Sequence, residues 1–196
     1  MADTITIRPT TEHDLAAVDA LLAASYPALL KRDYAPSVLV IALPLISRAN
    51  PALLRSGSYY IAETGEGQVL AAGGWTRSPP QGGVGLPEIG HVRHVATHPA
   101  HLREGLAQAI VTRVLSDALA AGVERMICQS TRTAVPFYRA MGFRARGEII
   151  VVLRDLSESR RAAAELSKAR EERTALAREV SDLRSRIRDQ HGMGRI

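Results

Sequence analysis

The stretch that decides the fold is His98-Pro-Ala-His-Leu-Arg-Glu-Gly-Leu-Ala-Gln-Ala-Ile-Val111. It leaves a run of alternating residues, turns through Pro99 and Gly105, and enters a segment in which Ala107, Ile110, Val111, Val114, Leu115 and Ala118 share one helical face. The reading is a strand over Glu88–Thr97, a short turn, and a helix from about Arg103 to Ala121 closed by Gly122. Its chemical content is an anion site. Unpaired backbone N–H groups at a helix start, beside a glycine that permits close approach, hold a phosphate by hydrogen bonds and by the helix dipole. An ordinary strand–helix turn with a glycine has the same local sequence, so this stretch alone leaves both readings open.

Working outward toward the N-terminus, Val69–Thr76 and Ser58–Glu63 are β-rich runs separated by Thr64-Gly-Glu-Gly-Gln68, which predicts an antiparallel hairpin. Ser78–Pro87 is too rich in Pro and Gly for regular structure. Between Tyr26 and Arg55, Pro27, Pro36, Pro44 and Pro51 favour short helices, a wall or lid on the substrate side. Before them, Thr4–Arg8 reads as a strand with Ile5 and Ile7 inward. Thr10 or Thr11 then caps a helix with Leu15, Val18, Leu21 and Leu22 as its stripe.

Toward the C-terminus, Glu124–Gln129 predicts a strand, Thr133–Met141 a short helix ended by Gly142, and Phe143–Arg154 mostly strand. Beyond Asp155 the texture changes. Ser157–Gln190 has no Gly or Pro and is rich in Ala, Arg, Glu and Leu, which predicts one long helix. A heptad frame fits it, with Leu166, Arg173, Val180 and Ile187 at a, and Ala162, Ala169, Leu176 and Leu183 at d. The organisation expected is a domain over 1–155 and a helical, coiled-coil extension over 156–196.

Composition narrows the function classes. The chain has 196 residues with 46% hydrophobic and 23% charged, which suits a globular fold and not a disordered one. No apolar run approaches the roughly 20 residues a spanning helix needs, so no membrane partner is expected. MADTITIRP lacks the basic and apolar regions of a secretion signal, and Cys128 is the single cysteine, so a cytoplasmic location is expected, without disulfides or a cysteine-rich metal module. Nor is there H-E-x-x-H spacing, and no metal is expected. The formal charge of +5 raises a nucleic-acid partner. Residues 1–156 hold 15 Lys+Arg against 13 Asp+Glu and residues 157–196 hold 10 against 7, so the larger excess sits on the extension. Nucleic acid is therefore disfavoured for the domain.

In order along the chain, the strand and x-H-P turn with its G-x-A loop at Val95–Ala107, the helix after it, and Ala134-Val-Pro-Phe-Tyr-Arg-Ala-Met-Gly-Phe143 resemble the GNAT (Gcn5-related N-acetyltransferase) family. The last segment is similar to that family's F-Y-x-x-x-G-F motif, and the resemblance covers about residues 4–150. It implies an α/β fold of the acyl-coenzyme A N-acyltransferase type, a mixed, mostly antiparallel central sheet flanked by helices. It also implies acetyl-coenzyme A as co-substrate, lying in a V between the Glu88–Thr97 and Glu124–Gln129 strands. The pyrophosphate would take N–H groups from Arg103, Glu104, Gly105, Leu106, Ala107 and Gln108, and the pantetheine arm would pair with Val95, Ala96 and Thr97. Two positions depart from the family pattern. Leu102 stands where Gln or Arg is usual, with Arg103 one position later. Thr131 stands where Asn is frequent, leaving Ser130, Thr131 or Thr133 to supply a hydrogen bond.

The resemblance makes Tyr138 the general acid that protonates the departing thiolate. The amine must also lose a proton, and His91, Glu88 and His94 lie on or beside the central strand, in that order of preference. Period-two alternation puts His91, Arg93 and Val95 on one face and His94 on the other. Tyr34, Tyr59, Tyr60, Trp75 and Arg77 are candidates for lining the acceptor pocket. His98 and His101 read as structural turn residues and Cys128 as a small buried hydrophobe.

The expected activity is acetyl transfer to a primary amine, of a small molecule or a peptide, by direct attack in a ternary complex. The alternative is a non-catalytic acyl-coenzyme A-binding regulatory module whose helical tail contacts a partner or nucleic acid. GNAT domains finish with a β-hairpin, whereas only one strand-like run, about Glu148–Arg154, precedes the tail. The expectation is that the seventh strand is missing or comes from a neighbour and that the tail pairs in a homodimer.

Overall fold

The computed structural model describes residues 4–146 and 151–192. The chain divides into two units, residues 1–156 and 157–196. In the first, strands β1 (Thr6–Pro9), β2 (Tyr59–Glu63), β3 (Val69–Thr76), β4 (Ile89–Thr97), β5 (Arg125–Gln129), β6 (Arg144–Arg146) and β7 (Val151–Asp155) form one sheet in the order β1-β2-β3-β4-β5-β7-β6. Every neighbouring pair is antiparallel except β4 and β5, whose parallel pairing needs a crossover, supplied by helix α4 (Leu106–Ala120).

The pleat sends alternate residues of the sheet into two separate cores. On one face Tyr60, Trp75 and Val92 pack with Ile110, Val111, Val114 and Leu115 of α4 and with Tyr138 and Phe143. On the other, Tyr59, Ile61, Ala72 and Ala96 pack with Val18, Leu21 and Leu22 of helix α1 (Leu15–Leu30). Each aliphatic buried this way contributes about 1.5–3 kcal/mol. Thr11 and Asp14 close a capping box at the start of the chain's first helical turn. Arg8 ties Asp14 to Glu63 of β2, with contacts of 2.8 and 2.7 Å.

The proline-punctuated segment forms two short helices, α2 (Pro36–Ile46) and α3 (Pro51–Leu54), each opened by a proline in its first turn. Helix α5 (Val135–Ala140) precedes β6, and helix α6 (Ser157–Gly192) makes up most of the second unit.

Four expectations need correction. Ile5 lies outside β1 and is 39% exposed, because the strand begins one residue later and its pairing with β2 starts at Thr6. Helix α4 begins at Leu106 and not at Arg103, since Arg103 and Gly105 both take left-handed backbone angles that no helix accommodates. Leu15 is 36% exposed and contributes less to the stripe than Val18, Leu21 and Leu22. The seventh strand is present within the chain. The run after Phe143 splits into β6 and β7, which pair antiparallel through Arg144–Leu153, Ala145–Val152 and Arg146–Val151. Of the expected Glu148–Arg154 strand, residues 148–150 lie outside the described residues. So do the side chains at heptad positions Val180, Leu183 and Ile187.

Candidate functional site

The site begins where β4 and β5 part. They pair only through Ile89–Arg125, Gly90–Met126 and His91–Ile127. Beyond His91, β4 keeps its bonds to β3, through Ala72–Ala96 and Ala71–Thr97, while no strand among the described residues pairs with its other edge. The backbone of Val95, Ala96 and Thr97 thus offers free polar groups along one side of a V.

A β-bulge directs the open strand. Gly74 pairs with Arg93 and Ala72 with Ala96, so Gly73 alone faces both His94 and Val95. His94 takes the left-handed conformation at φ 43°. Three neighbours hold this strained geometry. The Tyr59 hydroxyl donates to the His94 carbonyl at 2.9 Å, the His94 ring lies near the Ile46 main chain at the end of α2, and Val95 packs where a side chain on Gly73 would stand. A Cβ on Gly73 would meet Val95 Cγ2 at 2.9 Å and Ile110 Cγ2 at 2.8 Å. The bulge overturns the expected alternation. Val95 joins the α4 core, as Val92 does, while Arg93 reaches Thr76 on the opposite face and His94 reaches α2.

The Tyr138 hydroxyl lies within electrostatic reach of Cys128, Tyr26 and Tyr59. The Tyr138 hydroxyl and the Cys128 sulfur lie close enough to shift each other's titration. Burial, with the buried thiol as the second cause, holds the Tyr138 hydroxyl well above its ordinary value, and burial pushes the Cys128 thiol up to about 12. Both groups are protonated at neutral pH, and Cys128 is no thiolate nucleophile. Phe137 and Phe143 meet the Tyr138 ring edge to face at 5.1 and 5.3 Å. Tyr26 is not among the site residues that the sequence suggests. It continues the Val18–Leu22 series by one more step of four, a signal obscured by Pro27, which the helix accommodates without ending.

The strand–helix loop turns through Gly105 into the start of α4. Gly105 stands at φ 80° with nothing within 4 Å of the place a Cβ would take. Helix α4 has no side-chain cap, so the N–H groups of its first turn, Leu106, Ala107 and Gln108, face outward without one. His98 Nδ1 accepts from the Ala100 N–H at 3.3 Å and His101 pairs with Glu104 at 3.1 Å, so both histidines shape the turn. A shallow groove of about 550 Å³ extends from Gly105 along α4, lined also by Gln108, Ala109, Thr112, Arg113 and Ser116. Leu102 and Arg103 are both exposed at the loop tip.

The remaining candidates are dispersed. His91 and Arg93 are half-buried on the α1 side. Burial first, and Arg93 second, lowers the His91 imidazole below its ordinary value, so it is neutral at neutral pH. Glu88 is exposed at the closed end of the V, where its carbonyl accepts the Glu124 and Arg125 N–H groups at 2.8 and 3.0 Å. The Thr133 hydroxyl donates to Asp33 at 2.6 Å, and the Arg132 N–H donates to the Tyr34 hydroxyl at 2.7 Å, so the turn after α1 is tied to the turn before α5. Tyr60, Trp75 and Arg77, read as acceptor-pocket candidates, are held by other contacts. The pleat carries Tyr60 and Trp75 to the α4 core, where Arg113 lies over Tyr60 and the Trp75 indole N–H donates to Asp117 at 2.8 Å, while Arg77 holds the Pro87 and Ala121 carbonyls. Among the described residues no three His, Cys, Asp or Glu side chains group as a metal site, and no helix is long and apolar enough to cross a membrane.

Residues 60–152 match the family model described as Acetyltransferase (GNAT) domain. No curated protein matches the chain by sequence. Solved structures share the fold. The PaiA N-acetyltransferase of Thermoplasma acidophilum, in complex with coenzyme A, superposes with a TM-score of 0.64 at 11% identity, over 78% of this chain and 99% of that one. A GNAT family acetyltransferase from Brucella melitensis, in complex with acetyl-coenzyme A, superposes with a TM-score of 0.54 at 17% identity, over 78% of this chain and 88% of that one.

Proposed function

We propose that the chain is a GNAT acetyltransferase, on the match of residues 60–152 to that family's model, and that it transfers the acetyl group of acetyl-coenzyme A to a primary amine by direct attack in a ternary complex. The observation that carries this reading is the V between β4 and β5, whose open strand edge leads into a left-handed glycine turn and an uncapped helix start. The residues fit the co-substrate. The N–H groups of Arg103, Glu104, Gly105, Leu106, Ala107 and Gln108 would hold the pyrophosphate, and the edge at Val95, Ala96 and Thr97 would pair with the pantetheine amides. Thr133, its hydroxyl committed to Asp33, would contribute through its main chain.

Bound acetyl-coenzyme A supplies an activated acetyl thioester. The open N–H groups of β4 polarise its carbonyl. His91 takes the proton of the attacking amine, directly or through water, from the neutral state that its half-buried position favours. Glu88 is the second candidate for that role. Tyr138, protonated at neutral pH, gives its proton to the departing thiolate.

One observation favours the non-catalytic acyl-coenzyme A-binding module. The Tyr138 side chain is 5% exposed and its hydroxyl lies close to Cys128, so the acid is available only if the bound thioester displaces that contact. A coenzyme A release assay over amines, polyamines and amino acids separates the readings. Turnover with at least one acceptor is expected, and measured acetyl-coenzyme A binding without turnover on any acceptor moves the assignment to the module. We propose further that the heptad frame of α6 pairs two copies of the chain in a homodimer.

A further inference from the structure

Arg93 lies at the middle of β4, half-buried, on the face toward α1 and α2. Among the described residues no carboxylate pairs with it, and its one hydrogen bond runs from Nη1 to the Thr76 hydroxyl at 2.9 Å. Thr76 is itself fixed, donating to the Ser78 carbonyl at 2.7 Å. The guanidinium is therefore aimed, with the rest of its N–H fork open. Arg8, on the edge strand β1, is by contrast clasped by two carboxylates.

A guanidinium keeps its charge at any working pH, and removing it from water without a counter-ion is costly. The neighbouring groups supply no negative charge. His91 and His94 are both held toward the neutral form, by burial first and by Arg93 second, and the Tyr59 hydroxyl is raised by its own burial. An anion that arrives with a ligand would complete the arrangement.

The position of the charge limits what that ligand is. Thr76 is the register partner of His91, and adjacent strands stand about 4.8 Å apart, so the guanidinium reaches the level of His91, on the same face of β4. We propose that Arg93 binds an oxyanion of the acceptor, so that the substrate class is an amine carrying a carboxylate or phosphate only a few bonds from the nitrogen. This rests on the acetyltransferase reading and deepens it. The planar fork suits bidentate recognition of either oxyanion, which a point charge does not match.

The test uses matched acceptors in the coenzyme A release assay: α- and β-amino acids against their amides, and phosphoethanolamine against ethanolamine. The expected result is a kcat/KM at least about tenfold higher for the anionic member of a pair, as charge-assisted hydrogen bonds provide. Arg93→Gln should collapse that ratio toward one, mainly through KM for the anionic member, while Arg93→Lys keeps part of it. A wild-type preference for the neutral members, or an unchanged ratio in Arg93→Gln, overturns the proposal while leaving the acetyltransferase reading intact. If no acceptor turns over, calorimetric titration of the same pairs into the acetyl-coenzyme A complex decides. Tighter binding of the anionic member to wild type than to Arg93→Gln supports Arg93, and equal binding overturns it. The carboxylate and phosphate arms separate the two sources of oxyanion.

Discussion

In the sheet unit Ile110, Val111 and Val114 expose nothing to solvent, whereas every described side chain from 161 to 178 on α6 is exposed, including Leu166 at 55% and Leu176 at 61%. The first region is held by contacts between residues far apart in sequence: β2 against β3, α4 against both, Arg8 against Glu63. The second is held within itself, by Ala-, Arg- and Glu-rich helix propensity and local pairs such as Lys168 with Glu172 at 4.0 Å and the Thr174 hydroxyl donating to the Arg170 carbonyl at 2.9 Å. The contrast teaches that a helix can be legible from propensity and local pairs alone, whereas the sheet unit depends on contacts between distant residues.

The contrast breaks most readily in the core. Ile110→Ala, which empties space against Gly73 and Val95, should cost about 3–4 kcal/mol in urea unfolding of the full chain. The corresponding truncation on α6, Leu166→Ala, should stay within about 0.5 kcal/mol in a monomeric chain. A comparable loss at both positions would mean that α6 is covered in solution, and would favour the homodimer.

Tyr138→Phe removes the proton donor but keeps the ring between Phe137 and Phe143. We expect kcat to fall by about 100-fold, with an unfolding midpoint near that of wild type. Activity equal to wild type would make the residue a packing aromatic only.

Asp14 sharpens the picture of long-range fastening. The Arg8 guanidinium holds its carboxyl at about 2, below the ordinary 3.8. A depressed carboxyl contributes fully above the unfolded value and loses that contribution as pH falls through the folded one. The contribution, about 2 kcal/mol, should therefore be present at neutral pH and disappear between about pH 4 and pH 2. Asp14→Asn should lower neutral-pH stability by about that amount and flatten this acid limb in pH-dependent denaturation. An unchanged limb would show that the Arg8 pairings are already screened.

A small effect on stability is also expected of truncation after Leu156, which should leave the unfolding free energy of the sheet unit within about 1 kcal/mol of its full-length value. Sedimentation of the two proteins reads the other half of the comparison. A dimer that becomes monomeric on truncation supports the pairing of α6, and identical monomers refute it.

The glycine turn, the hairpin, the proline-broken helices and the long α6 were legible because each is announced by residues close in sequence: Gly105, Thr64–Gln68, Pro36 and Pro51, and an unbroken run from Ser157. The His94 bulge was less legible, since its one local sign is the pair of polar residues Arg93-His94, which sets Val92 and Val95 three apart. Its cause is across the strand, in Gly73 and the Tyr59 hydroxyl. The contacts of Trp75 and Arg77 were hidden for a related reason. Their strand was read correctly, but which face of a strand meets which helix is not written in the strand itself. Tyr26 was overlooked because a proline inside a helix resembles a terminator until the packing around it is known.

By itself, then, the sequence determined most of the elements and their order, because backbone angles and apolar periodicity act over a few residues. Only the tertiary structure decided that β4 and β5 part after His91, that Tyr138 meets Cys128, and that Arg93 is left with an open fork toward α1 and α2. Those outcomes depend on desolvation and on the shapes of surfaces brought together from distant parts of the chain.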